Sequence, residues 1–524
     1  MTSAPDLIVH HANVVTLDPA RPRARALWVR GERIVALGED EELLATAGPR
    51  TATLDARGLT LLPGFNDNHV HALGMGQFLA HPNLFGKNAD EIVALLKQHY
   101  PAVKPGERVT GYAWDYSSCP HPSKELLDRA FPRNPVVLRQ YSGHAQWLNS
   151  MALQRIIANT RPENVLRDPH GEPTGIVHGT VVHPNHRRDI LRRALNPTLH
   201  WRLLDTALER FRQAGITSVQ DNTWQPFTVW LLATLRRLGR LTARFSCWSF
   251  GHFPLLARGM DIGPYHPLWI RRGPEKYIVD GAFSPHTAWL LGPYQNEPDN
   301  LGQALLPPQE IERIVRRAAR RRRQLAFHAI GDRAVREVLD AVEKVARELP
   351  RVCDLRIRLE HAQIIDPVDL ERMRRLGVLA AVQPSALALP ERDLGLVGDA
   401  RFARLYPYRS LLDAGVALSF GSDIPGEIEY DPFQVIYRAV SRRGLGATRY
   451  DPSQAVSVPE AVVAYCRGSA YAEFMEAEKG ALIPGMLADF IVLSQDIFAT
   501  EVERIPETKV LLTVVGGKVV CSRL

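Results

Sequence analysis

The apolar positions fall into three regimes along the chain. Over residues 1–58, short period-two runs are broken by turn residues: Leu7-Ile-Val-His-His-Ala-Asn-Val-Val-Thr-Leu17, then a second run over 26–37 around a hairpin at Gly31. The last 45 residues repeat the pattern, with runs over 488–493 and 510–520 and a turn at Gly516-Gly517. Neither end has enough strands to close a core alone. The two are expected to pack together as one composite β-sandwich domain, residues 1–58 with 479–524.

Between the ends, apolar β-rich runs alternate with amphipathic stretches, the pattern of a parallel sheet wrapped in helices. Eight strands are expected, over 59–65, 216–221, 244–250, 277–280, 325–328, 357–360, 378–383 and 417–420. Eight predicts closure: an α/β chain built on a (β/α)8 TIM barrel spanning 59–478. About 150 residues separate the first two strands, far more than a crossover needs, so 73–197 is expected to be an insertion near the barrel mouth. The Pro- and Gly-containing loop over 384–407 is expected to run irregularly, as a lid.

Composition narrows the class. At 45% hydrophobic and 23% charged, the 524 residues suit a globular protein with a large core. The excess of 64 basic over 57 acidic residues is small for this length, which argues against a nucleic-acid partner. The basic run over 313–323 carries Ile314, Val315, Ala318 and Ala319 at helical spacing, as the solvated face of an outer helix would. Five scattered cysteines without a C-x-x-C pair indicate neither a disulfide framework nor a thiolate metal site. With no basic-then-apolar start and no run of 18 apolar residues, the expectation is a cytoplasmic protein without a membrane partner. Its partner is then a small-molecule substrate, and homo-oligomerisation stays open.

The candidate chemistry centres on His69-Val70-His71. Chance alone supplies roughly 0.6 H-x-H pairs in a chain with 18 histidines (18 × 18/524), so the pair means little by itself. Its setting matters more: residues i and i+2 of a strand share a face, and here they follow the first expected barrel strand. His328, His361 and Asp423 each end another expected strand, and all strand ends of a parallel barrel lie on one rim. Imidazoles with a carboxylate are the donor set zinc prefers. By contrast, His183-Pro-Asn-His186 has a proline between its histidines and charges after it, which reads as a solvated loop.

These residues resemble the amidohydrolase superfamily, and within it the amidohydrolase-3 group. The likeness rests on the Pro63-Gly-Phe65 to His69-x-His71 stretch, His328-Ala-Ile-Gly-Asp332, Glu360-His-Ala362, Gly421-Ser-Asp423 and the tail from Lys479 to Leu493. It implies a distorted barrel with a composite β-sandwich. It also implies that His69, His71 and Asp423 bind one zinc ion and His328 and His361 a second, bridged by carboxylated Lys276. An unmodified Lys276 would leave one ion. By the same resemblance, Asp423 is the catalytic proton carrier, and Tyr112, Trp114, Asp115 and His144 flank the substrate. The reaction implied is hydrolysis of a C–N bond in an N-acyl, N-formyl or cyclic amide by metal-activated hydroxide. Deamination of a heterocycle, carbamate or ester hydrolysis, and a non-catalytic metal-binding barrel are the alternatives.

Overall fold

A computed structural model of the chain describes residues 4–141, 143–160, 162–178, 196–223, 225–427 and 429–524. The two ends of the chain meet in a two-sheet sandwich. One sheet runs Arg33–Gly38, Ala26–Arg30, Leu7–His10, Ala52–Asp55. The other runs Lys518–Ser522, Val510–Val515, Phe490–Leu493, Thr60–Pro63, Asn13–Val15, Arg23–Ala24. Period two decides which side chains face inward. Val9, Leu27 and Val29 meet Leu61, Phe490, Val492, Leu512 and Val514 in the shared core, while Ile8 and Trp28 turn outward beneath Leu43 of a short helix. Each such fully buried side chain contributes about 1.5–3 kcal/mol. Neither end could bury these faces without the other.

The barrel strands are β1 (Phe65–Val70), β2 (Ile216–Asp221), β3 (Arg244–Phe250), β4 (Ile270–Ile278), β5 (Leu325–Ala329), β6 (Arg358–His361), β7 (Leu379–Val382) and β8 (Leu418–Phe420), parallel and in that spatial order. Two strands differ from the sequence expectation by more than one residue at an end. The run over 59–65 is not one barrel strand. It breaks at Gly64, with Thr60–Pro63 in the sandwich and β1 beginning at Phe65. Gly64 is the pivot: its amide donates to Asp489 O at 3.0 Å, and a Cβ there would lie 2.2 Å from the Thr217 side chain.

The second difference is β4, which starts at Ile270, seven residues before the apolar run over 277–280. The charges that masked it are paired off the strand, Arg271 with Glu473 O at 2.9 Å and Glu275 with Arg317 at 2.9 Å. Lys276 therefore lies well inside the strand and is 3% exposed.

The insertion has its own layer. A five-stranded sheet in the order Val165–Arg167, Pro173–His178, Ala145–Leu148, Val136–Gln140, Val109–Trp114 packs with the helices Ala89–His99 and Lys124–Ala130 around Ile92, Leu96, Trp114, Leu127 and Trp147. Within the span expected as insertion, helix Ala72–Leu79 packs into the barrel instead. Its Met75 and Phe78 join the barrel core, and Gly76 approaches the main chain of Leu203 too closely for any side chain. The pair His183 and His186 lies outside the described residues.

The stretch over 384–407 corrects the expectation of an irregular lid. It folds as a 3-10 turn, Pro384–Ala388, and helices Pro390–Val397 and Asp399–Phe402. Asp393 ties it down, accepting from the hydroxyls of Tyr406 and Tyr450 at 3.0 and 2.7 Å. The arginine-rich segment is an outer helix, Pro308–Arg321, with Ile314, Val315, Ala318 and Ala319 buried; Arg313 and Arg316 pair with Glu310, Glu312 and Glu348. Among the described residues, no helix is long and apolar enough to cross a membrane.

Candidate metal centre

Strand β1 is buried along its whole length, and alternation puts Asp67 and His69 on one face. Asp67 braces the turn opposite: its Oδ1 accepts from the amides of His69 at 3.2 Å and Ser422 at 2.9 Å. Burial pushes this carboxyl up to about 6 despite those bonds. The His69 Nδ1–H donates to Glu360 Oε2 at 2.7 Å, which leaves Nε2 3.4 Å from Asp423 Oδ1.

His71 does not continue the strand. It is the N-cap of helix Ala72–Leu79, and its Nε2 reaches the same oxygen of Asp423 at 3.3 Å. Convergence of the pair thus depends on the strand end and the helix start, a turn that i, i+2 spacing alone does not describe.

Asp423 follows β8 with φ +55°. Ligand atoms of His69, His71 and Asp423 all lie within 4.8 Å of one another. Burial pushes the Asp423 carboxyl up, but His69, His71 and Lys276 together outweigh it and hold it below its ordinary value. Burial drives the His69 imidazole well below its ordinary value. A neutral imidazole and an ionised carboxylate are the forms that ligate a divalent cation, so the donor set fits one.

A second pair adjoins the first. His328 and His361 have ring centroids 4.4 Å apart, and His361 lies 5.3 Å from His69. His328 Nε2 donates to Gly281 O at 2.9 Å, which leaves Nδ1 as its electron-pair donor. The His361 Nδ1 donates to Gln383 Oε1 at 2.7 Å, and the Gln383 amide is oriented by its own bond to Ala381 O at 3.2 Å. Burial pushes both imidazoles well down. His361 has φ +74°, which lets two consecutive residues, Glu360 and His361, both address the site.

Lys276 comes up from the floor, its Nζ 5.8 Å from the centre of the Trp248 ring. Burial lowers its amine to about 8, against the pull of Glu360 and Asp423.

Of the four residues expected to flank the substrate, one, His144, has a contact with this cluster. His144 lies 5.0 Å, ring to ring, from His328, and burial lowers it to about 4. Asp115 is buried and accepts from Gln140 Nε2 at 3.0 Å and from Ser284 Oγ, after β4, at 3.1 Å. Trp114 instead packs in the insertion core, edge-on to Trp147, with Nε1 bonded to Leu138 O. Tyr112 packs against Phe78 and His81.

Sequence reading missed Arg358, Glu360, Trp248 and the buried hydrogen-bonded pair Tyr141–Glu427. Burial raises Glu427 to about 8. Arg358 and Glu360 did leave a signal: two charges at i, i+2 in a strand otherwise reading as barrel core.

An eight-stranded parallel barrel that gathers imidazoles and a carboxylate at its strand ends is the framework of metal-assisted hydrolysis. The profile of the amidohydrolase family matches residues 52–521. LONG AFTER FAR-RED 3 of Arabidopsis thaliana is 30% identical over 98% of this chain and 91% of its own length. N-substituted formamide deformylase of Arthrobacter pascens is 29% identical over 99% of this chain and 98% of its own. Among solved structures, an uncharacterised metal-dependent hydrolase of Pyrococcus furiosus aligns with a TM-score of 0.73 at 26% identity, covering 94% of this chain and 99% of that one. The chain belongs to the amidohydrolase family. It is a metal-dependent hydrolase of that superfamily.

Proposed function

We propose that the chain hydrolyses the C–N bond of an amide-type small molecule, an N-acyl, N-formyl or cyclic amide. The observation that carries this reading is the convergence of His69 Nε2 and His71 Nε2 on one oxygen of Asp423. His69, His71 and Asp423 would hold one zinc ion, and His328 and His361 a second, with carboxylated Lys276 between them. Zinc, when bound, supplies a Lewis acid that polarises the carbonyl and acidifies water.

The chain's own residues supply the rest. Asp423, ionised at neutral pH, takes the proton from the attacking water and returns it to the departing nitrogen. His144 stands beside the donor cluster, where it can orient the acyl group. The near full-length likeness to a formamide deformylase supports an amide as substrate. Reduced cysteines and the lack of a spanning helix among the described residues fit the proposed cytoplasmic location.

A panel of formamides, N-acyl amino acids, cyclic amides and aminated heterocycles tests the reading. Turnover of one of the amide classes is expected, lost on chelation and restored by zinc. Ammonia release from heterocycles alone would replace it with deamination. Purified protein with substoichiometric metal and no response to chelation would revive the non-catalytic barrel.

A further inference from the structure

Beneath the donor cluster lies a buried ion pair that takes no part in the chemistry proposed above. Glu360 and Arg358 are both fully buried, and Arg358 Nε donates to Glu360 Oε1 at 2.6 Å. The other carboxylate oxygen of Glu360 accepts the His69 Nδ1–H at 2.7 Å. The guanidinium is itself pinned: Nη2 donates to Asn68 O at 2.8 Å, Nη1 bonds the Gln220 amide oxygen, and the Trp248 ring lies beneath it at 4.5 Å. The same indole packs 5.0 Å from the His69 ring. Four strands, β1, β2, β3 and β6, thereby fix one imidazole.

We infer that Glu360, held by Arg358, is a positioning residue that locks His69 in the tautomer with its Nε2 electron pair facing His71 and Asp423, and so sets the affinity of that cluster for zinc. The inference rests on the ligand roles proposed above.

The physical reason is twofold. A carboxylate can only accept, so Nδ1 must carry the proton and Nε2 must be the donor to a metal. A charged acceptor also makes the imidazole a stronger base toward the metal than a neutral one does. The second pair is held differently. His361 leans on the neutral amide oxygen of Gln383, and His328 on the main-chain oxygen of Gly281, with Asp280 Oδ1 at 3.6 Å. Loss of Glu360 should therefore weaken the first zinc selectively.

The test is zinc affinity of the full chain, stripped by chelator and titrated with Zn²⁺ alone against a chromophoric competitor. Glu360→Gln is expected to raise the dissociation constant of the first zinc, identified as the one that His69→Ala weakens, about ten- to a hundredfold. Gln383→Ala should leave that constant within about twofold. Because Glu360→Gln strands a buried guanidinium, the paired change Glu360→Gln with Arg358→Gln is measured beside it and is expected to show the same loss. A folded paired variant that binds the first zinc as tightly as the unaltered chain would overturn the inference.

A second readout needs neither variant. In ¹⁵N-histidine-labelled zinc protein, the His69 Nδ1–H, assigned by its loss in His69→Ala, should be downfield and slow to exchange. Its absence would also overturn the inference. His69→Ala separates the two levels: if it kept every zinc at full affinity, the ligand reading itself would fail.

Discussion

The main-chain amide of Asp423 donates to the carbonyl oxygen of His69 at 2.7 Å. This one bond ties the end of β8 to the end of β1 at the height where the donor side chains meet. Its neighbours complete the closure: His71 N to Ile424 O at 3.0 Å, Ser422 N to Asp67 Oδ1 at 2.9 Å, and Asn68 Nδ2 to Ser419 Oγ at 2.7 Å. The seam of the barrel and the candidate site are the same piece of structure.

Asp423 stands in the seam, and the proposed function makes it both ligand and proton carrier. Asp423→Asn and Asp423→Ala are expected to lower kcat/KM by at least about 10²–10⁴-fold while circular dichroism stays that of the unaltered chain. Near-normal turnover by Asp423→Ala would remove it from the proposed chemistry.

Gly421 tests the seam without replacing any proposed ligand side chain. A Cβ there would lie 2.3 Å from Asn68 Oδ1, 2.6 Å from Asp67 Oδ1 and 2.7 Å from His69 N. Gly421→Ala should cost about 1–3 kcal/mol in urea unfolding and lower zinc affinity as well. Gly395→Ala, where nothing lies within 4 Å, is the control and should be close to neutral. Equal behaviour of the two would show that the seam is slack.

Lys276 has a lowered amine and a place among the donors, as carbamate formation requires. With ¹³C-bicarbonate, a carbamate resonance is expected in the native chain and should vanish in Lys276→Gln, with zinc falling from two ions to one per chain. Two ions retained by Lys276→Gln would leave the bridge without a role.

Glu460 bears on acid stability away from the site. Arg409 at 2.5 Å, then the Ser457 capping box at 2.8 Å, hold its carboxyl down to about 2 from an ordinary 4.5. A depressed folded-state value means that the stabilisation is complete above about 4.5 and fades as pH falls toward 2. Its side chain is 38% exposed, so screening limits the ion pair to below about 1 kcal/mol. Urea midpoints of Glu460→Gln should trail the unaltered chain at pH 7, with the gap narrowing at pH 3. A constant gap would assign the loss to packing.

Much of this was legible along the chain, because period-two and period-3.6 patterning are local properties. The two end sheets, the parallel alternation, and His69, His71, His328, His361 and Asp423 at strand ends can all be read without coordinates. Boundaries failed where local signals mislead. Gly64 looked like part of one strand because nothing nearby reveals Thr217 pressed against it. Strand β4 was cut short because its charges find partners, Glu473 and Arg317, far along the chain.

What tertiary structure alone decided is which polar residues share a point in space. Sequence spacing says that Arg358, Glu360 and His361 are neighbours. It does not say that Glu360 faces His69, 291 residues away, or that Trp114 serves the insertion core while His144 meets His328. Secondary structure follows from short-range sterics and apolar period. Contact across a barrel follows from strand order, register and closure, which no local stretch of sequence contains.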